Sequence, residues 1–177
     1  MATMILLPDG SSSVSDWTPA PFPNTVSSAL DDDNGDTSYV KSSTNNAAMT
    51  IEYANPSVAE ADIDTITSVR FLSSGRSTHR TTGSRVAIDF ATPSGNATEY
   101  VRYDPHASSH ETINGTARPY SDGSSAAWTY ANLEALELTC TKVQTIEVYL
   151  SYLALEVTYT EAVAAEADNA TFFGANF

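Results

Sequence analysis

The chain has 177 residues, of which 22 are acidic and only 8 basic, so its formal net charge is -14. A field of that sign repels phosphates and excludes nucleic-acid binding, and the sequence has no run of about 18 apolar residues with which a helix could span a bilayer. One domain fits the length and buries roughly 70% of the surface its unfolded chain exposes, while Ala, Glu, Lys and Leu do not recur at the spacing of a helical bundle.

Residues 2–7 read as a short strand or an arm that packs on a neighbour. Residues 8–37 read as irregular. Pro8, Pro19, Pro21 and Pro23 interrupt ladder hydrogen bonding, and Asp31, Asp32, Asp33 and Asp36 form an acidic cluster. Trp17 and Phe22 sit inside this stretch, and apolar residues of that size predict that it lies against a surface. From Ser38 the pattern approaches a period of two. Tyr39–Ser42 is a strand candidate, and Ala47, Met49, Ile51 and Tyr53 alternate with Ala48, Thr50 and Glu52 along the next. Ile66–Leu72 is a further strand, and Ser73–Gly83 reads as a polar turn region. Val86, Ile88 and Phe90 mark a strand with one wet face, Pro93–Asn96 a hairpin turn, and Tyr100–Tyr103 the return strand. His110–Thr116 carries a weaker strand pattern.

The period changes in Trp128–Leu138. Leu133, Ala135 and Leu136 sit at helical spacing and Thr129 is placed to cap, which predicts one short helix. In the last strand Ile146, Val148, Leu150 and Tyr152 share a face, and then Leu153, Leu155, Val157 and Tyr159 take it over. No Gly or Pro marks a turn at the slip, so a β-bulge near Tyr152 and Leu153 is expected. After Thr160 the chain turns Ala- and Glu-rich and ends in NATFFGANF. These elements predict an all-β, antiparallel β-sandwich of jelly-roll type with one short helix and extended N- and C-terminal arms. Residues 1–37 form the first strand, arm and acidic loop, 38–160 the sandwich and 161–177 the tail.

Chemistry finds little purchase. Cys140, the single cysteine, excludes a disulfide within the chain and reads as a buried, inert thiol. No basic residue precedes Ile5–Leu7 and Pro8 interrupts at once, so no secretory signal is expected and the chain is expected to fold in a cytoplasm. LDDDNGD fails the EF-hand pattern, because Leu30 falls at its first position and Lys41 at its twelfth. A solvated acidic loop is expected there, with an irregular carboxylate site for a hard cation as the alternative. His106 and His110 are four apart near Asp104, but Pro105 places them in a loop and removes the helical meaning of that spacing, so no metal is expected. His79 lies with Arg76, Arg80 and Arg85 in a basic stretch that could meet an acidic partner or be a plain exposed loop. There is no Gly-x-Ser-x-Gly elbow, phosphate-cradling loop or HExxH helix, and nothing singles out Glu52 and Glu60 as a working pair. No catalytic residue, enzyme activity or cofactor is expected. Tyr100, Tyr103, Tyr120 and Trp128 are candidate sugar-stacking platforms, with core and interface roles as the alternative.

Three stretches together resemble a known group: MILLPDGSSSVSDWTP at the start, DDDNGDTSYVKSS running into Tyr39 and Val40, and WTYANLEALEL followed by TIEVYLSYLALEVTY. They resemble the β-sandwich virion structural proteins of tailed bacteriophages and their prophages, which serve as capsid decoration (cement) proteins, head fibres or tail-associated proteins. The resemblance covers roughly residues 4–160 and concerns fold more than chemistry. It implies no catalytic residue. Where related sequences often place an acid in the first turn of the short helix, this one has Asn132, which is expected to weaken the capping box.

On this resemblance the chain is expected to be a non-enzymatic decoration protein on the capsid exterior, assembled in the host cytoplasm. It would be a homotrimer bound to the major capsid protein, away from nucleic acid and membrane. Its partner contacts would be Ile5, Leu6, Leu7, Trp17 and Phe22 at the start and Phe172, Phe173 and Phe177 at the end. The alternatives are a carbohydrate-binding module on a head or tail fibre that recognises host surface glycans, and a tail or neck adaptor.

Overall fold

The computed structural model describes residues 1–21, 23–33, 37–78, 85–103, 110–143 and 146–163. Two antiparallel sheets face each other. The six-stranded sheet contains β1 (Ala2–Leu6), β3 (Thr18–Ala20), β4 (Tyr39–Ser42), β6 (Ile63–Ser77), β9 (Glu111–Asn114) and β11 (Val148–Glu161). The five-stranded sheet contains β2 (Pro8–Ser15), β5 (Ala48–Tyr53), β7 (Arg85–Thr92), β8 (Gly95–Arg102) and β10 (Glu137–Lys142). The helix α1 spans Tyr130–Glu134. The first sheet runs β3-β4-β11-β6-β9, with β1 also on β11, and the second runs β2-β5-β10-β7-β8. Apart from β3–β4 and β7–β8, each strand is followed by one in the other sheet, which is the winding of a jelly roll.

Alternation builds the core. Met49 and Ile51 of β5, Ile88 and Phe90 of β7 and Leu138 and Cys140 of β10 point inward and are fully buried. They meet Val69 and Phe71 of β6 and Leu150, Leu153, Leu155 and Val157 of β11 from the opposite sheet. Phe71 and Phe90 touch across the sandwich with ring centroids 6.1 Å apart. Burial holds the Cys140 thiol well above its ordinary pKa, so the inert-thiol reading stands.

Residues 8–37, expected to be irregular, supply two strands instead. β2 borders β5 and β3 borders β4, both at sheet edges, where proline is tolerated because one side of the strand needs no ladder. Pro8 opens β2, and register shifts follow between Pro8 and Gly10 and between Ser11 and Ser13. Leu30 is fully buried, and its carbonyl accepts the Leu153 N–H at 3.1 Å, closing the gap where β4 and β1 meet end to end along β11.

Ser73–Gly83, expected to be a polar turn region, is strand as far as Ser77. Ser73 and Ser77 face the core because Tyr103 is there to pair with them. Tyr103 Oη donates to Ser73 Oγ at 2.8 Å, Ser73 Oγ donates to the Ile113 carbonyl at 2.8 Å, and Ser77 Oγ donates to the Tyr103 carbonyl at 3.2 Å. A Cβ on Gly75 would lie 2.7 Å from the Tyr149 carbonyl and 2.9 Å from Tyr103, so this stretch needs small residues to admit the ring.

The bulge in β11 is present between Leu150 and Tyr152, with Ser151 as the extra residue. The helix begins at Thr129 as expected, and its capping box is complete. Asn132 Oδ1 accepts the Thr129 N–H at 3.0 Å while Thr129 Oγ1 accepts the Asn132 N–H at 3.1 Å. The carboxamide oxygen accepts where the carboxylate of an acid would, so both hydrogen bonds of the box are made, contrary to the expected weakening.

One interior group is out of character. Lys142 points inward from β10, is only 1% exposed, and its Nζ donates to the Thr44 carbonyl at 3.2 Å. Burial lowers its pKa below the ordinary lysine value. The unfolded chain therefore binds the proton more tightly, and stability should rise with pH up to the ordinary lysine range near ~10.4. Lys142→Met keeps the buried stem and removes the charge. It should raise the denaturation midpoint at pH 7, with the gain over wild type shrinking towards pH 10; a gain that is constant across this range would sink the account.

Candidate functional site

The structure splits the four aromatic candidates. Tyr103 and Trp128 are core residues, the latter with its indole Nε1 donating to the Arg118 carbonyl at 2.8 Å. Burial pushes the Tyr103 phenol well above its ordinary pKa. Tyr100 is 63% exposed and Tyr120 is 42% exposed.

Tyr100 stands on a surface built by register. Residues directly opposite in antiparallel strands share a face, so the outer face of the five-stranded sheet can be read row by row. One row runs Tyr100, Ala87, Thr141, Ala48, Ser15; the next runs Thr98, Asp89, Thr139, Thr50, Ser13; the third runs Asn96, Ala91, Glu137, Glu52, Gly10. The side chains beside Tyr100 are small, so nothing in its own row shades the ring. The middle row is a line of hydroxyls and one carboxylate. Thr98 Oγ1 donates to Asp89, and Thr50 and Thr139 share a hydrogen bond of 3.0 Å. Asp89, Glu137 and Glu52 supply acceptors, and these three rows contain no basic residue.

The loop after β9 braces the edge of this face. Asp122 accepts the backbone N–H groups of Ser124, Ser125 and Ala126 at 2.8, 2.8 and 3.0 Å, which hold its carboxyl far below the usual range. A Cβ on the adjoining Gly123 would lie 3.1 Å from the Ala97 Cβ of β8, so this loop passes close to the strand that carries Tyr100.

The other sheet presents aromatics that composition and spacing did not flag. Tyr39 and Tyr149 meet edge to face with centroids 5.2 Å apart, and the Arg76 guanidinium lies 3.8 Å over the Tyr149 ring. Tyr149 Oη donates to Glu147 at 2.8 Å, and Lys41 Nζ lies 3.8 Å from the same carboxylate. Burial raises the Tyr149 pKa, and the Glu147 contact adds to it. This ring is engaged by the chain's own side chains, whereas Tyr100 is open. The register of β11 against β4 and β6 assembles this cluster, so no local motif could have announced it.

The expected partner residues separate as well. Leu6 and Trp17 are packed into the chain's own core, while Ile5 and Leu7 are each 41% exposed. In β1 the side chains alternate, so only alternate residues of that stretch can face outward. Phe22, Phe172, Phe173 and Phe177 lie outside the described residues, as do Asn34–Asp36 of the acidic loop, His79 and His106. Among the described residues no cluster of three His, Cys, Asp or Glu side chains is placed to hold a metal ion.

No protein-family model and no curated protein matches this sequence. Solved structures do share its shape. SGBP-B from a complex xyloglucan utilization locus in Bacteroides uniformis is similar over 85% of this chain at 12% identity, with a TM-score of 0.50. This chain spans 49% of that protein's length. The likeness shows the β-sandwich itself. Weaker likenesses reach CBM29_1, a family 29 carbohydrate binding module from Piromyces equi, at 10% identity and a TM-score of 0.41 over 88% of this chain and 91% of that one. They also reach a family 16 carbohydrate binding module at 13% identity and a TM-score of 0.38, over 67% of this chain and 76% of that one.

Proposed function

We propose that the chain is a non-catalytic glycan-binding β-sandwich that holds its ligand on the outer face of the five-stranded sheet. The observation that carries this reading is Tyr100, an aromatic ring left open on a sheet face lined by hydroxyls and carboxylates. A sugar ring has an apolar C–H face and a rim of hydroxyls. Tyr100 suits the first and the Thr98–Asp89–Thr139 row suits the second. The three rows around Tyr100 supply acceptors for sugar hydroxyls, and the next row of the same face pairs Arg102 with Arg85. Shared architecture with SGBP-B supports the scaffold and no more.

A glycan array probed with wild type and with Tyr100→Ala, in calcium and in chelator, tests the reading. Wild type should bind glycans in both buffers, and the variant should lose about thirtyfold in affinity, the usual effect of removing a tyrosine anchor. An array silent under both conditions overturns the proposal. The capsid-decoration reading would then stand on Ile5 and Leu7, and the copy number in purified particles relative to the major shell protein would decide it.

A further inference from the structure

The exposed edges of the two sheets are protected unequally. β2 opens with Pro8 and shifts register twice; β3 is three residues long and contains Pro19; β9 has four residues and β1 has five. Short strands, prolines and bulges are the means by which native sheets prevent edge-to-edge pairing. β8 has none of them. It runs for eight residues without proline and stays in register with β7 throughout.

The open side of β8 follows from its hairpin. Thr92 pairs with Gly95 across a two-residue turn, so that pair exchanges hydrogen bonds and alternate pairs beyond it do not. The N–H and C=O groups of Asn96, Thr98, Tyr100 and Arg102 therefore point away from β7. Among the described residues no other strand or loop backbone takes them up. Charge does not guard this edge either. On a chain of net charge -14, the outward side chains of β8 are three neutral groups and one arginine. Its one acid, Glu99, is held by the Thr116 N–H at 3.1 Å and by Arg118 at 3.3 Å.

We propose that a second copy of this chain pairs antiparallel along β8 about a two-fold axis, joining the two five-stranded sheets into one. The shifted, proline-bearing β2 is a poor mate for β8, so the contact closes at two copies instead of growing into a fibre. Antiparallel pairing keeps like faces together, which sets both Tyr100 rings on one continuous surface. The dimer extends the glycan reading, since one long glycan could then engage two platforms, but it does not depend on that reading.

Sedimentation of the full chain tests it. Wild type should sediment at twice its 18.9 kDa chain mass. Thr98→Pro deletes an N–H that only the second copy uses, so it should sediment as a monomer with an unchanged far-ultraviolet spectrum. Thr98→Lys, which keeps the N–H but puts a charge at the edge, should weaken association at least about tenfold, and it decides the matter if the proline variant unfolds. A wild-type monomer at the highest soluble concentration, a trimer, or a dimer indifferent to both substitutions overturns the proposal. None of these readouts involves sugar, so a silent glycan array leaves it standing.

Discussion

Tyr103→Ala should cost about 3–5 kcal/mol of stability, the range for deleting a large buried ring. Tyr103 is 1% exposed and sits between the sheets against the Ser73–Ser77 stretch of β6. The truncation empties a ring-sized volume that the surrounding strands cannot collapse into, because β6 is fixed by ladders to β9 and β11. It also leaves Ser73 Oγ without its donor. For a chain of this length the expected fall in the thermal midpoint is roughly 10 °C or more. Tyr103→Phe keeps the volume and removes only the hydroxyl, so it should cost about 1 kcal/mol. Equilibrium denaturation of both variants separates packing from hydrogen bonding. Equal losses would mean that the hydroxyl network, and not the ring, secures this end of the sandwich.

Gly115→Ala should cost about 3 kcal/mol despite adding a single methyl group. A Cβ at this position would overlap the edge of the Phe71 ring, closest to its Cε1 and only 2.5 Å from Cδ1 and 2.8 Å from Cζ. Neither partner can retreat. The Gly115 N–H donates to the Phe71 carbonyl at 2.8 Å, and the fully buried Phe71 ring is backed by Phe90. Shrinking the obstacle should relieve the clash, so Phe71→Leu should be less harmful in the Gly115→Ala background than in wild type. A double-mutant cycle measures that coupling. Strict additivity would show that the Phe71 ring is not the obstacle that the added methyl group meets.

The strands from Tyr39 onward were legible because period-two alternation is a local signal that one buried face imposes on the sequence. Val86, Ile88 and Phe90, or Leu153, Leu155 and Val157, could hardly face anything but a core. The bulge in β11 was legible for the same reason, since a phase slip with no turn residue leaves few other geometries. Edge strands were harder to see. β2 and β3 are polar and proline-bearing because an edge has a side that need not pair, and that freedom erases the pattern by which a strand is recognised. The inward Ser73 and Ser77 of β6 give no local strand signal, because their partner, Tyr103, lies 30 and 26 residues away along the chain.

The candidate site was legible only in outline. Tyr100 and Tyr103 look alike in sequence, and three residues apart on a strand they fall on opposite faces. Which of them faces the core depends on where β8 ends and on how it registers with β7. Charge, composition and alternation are properties of the chain alone, and from them follow the all-β sandwich, the acidic balance without a recognisable catalytic set, and the expectation of a buried cysteine. Which aromatics are exposed and which are core, the packing of Leu6 and Trp17 within the chain, and the open edge of β8 among the described residues all depend on register and sheet order, which are set by contacts between residues distant along the chain.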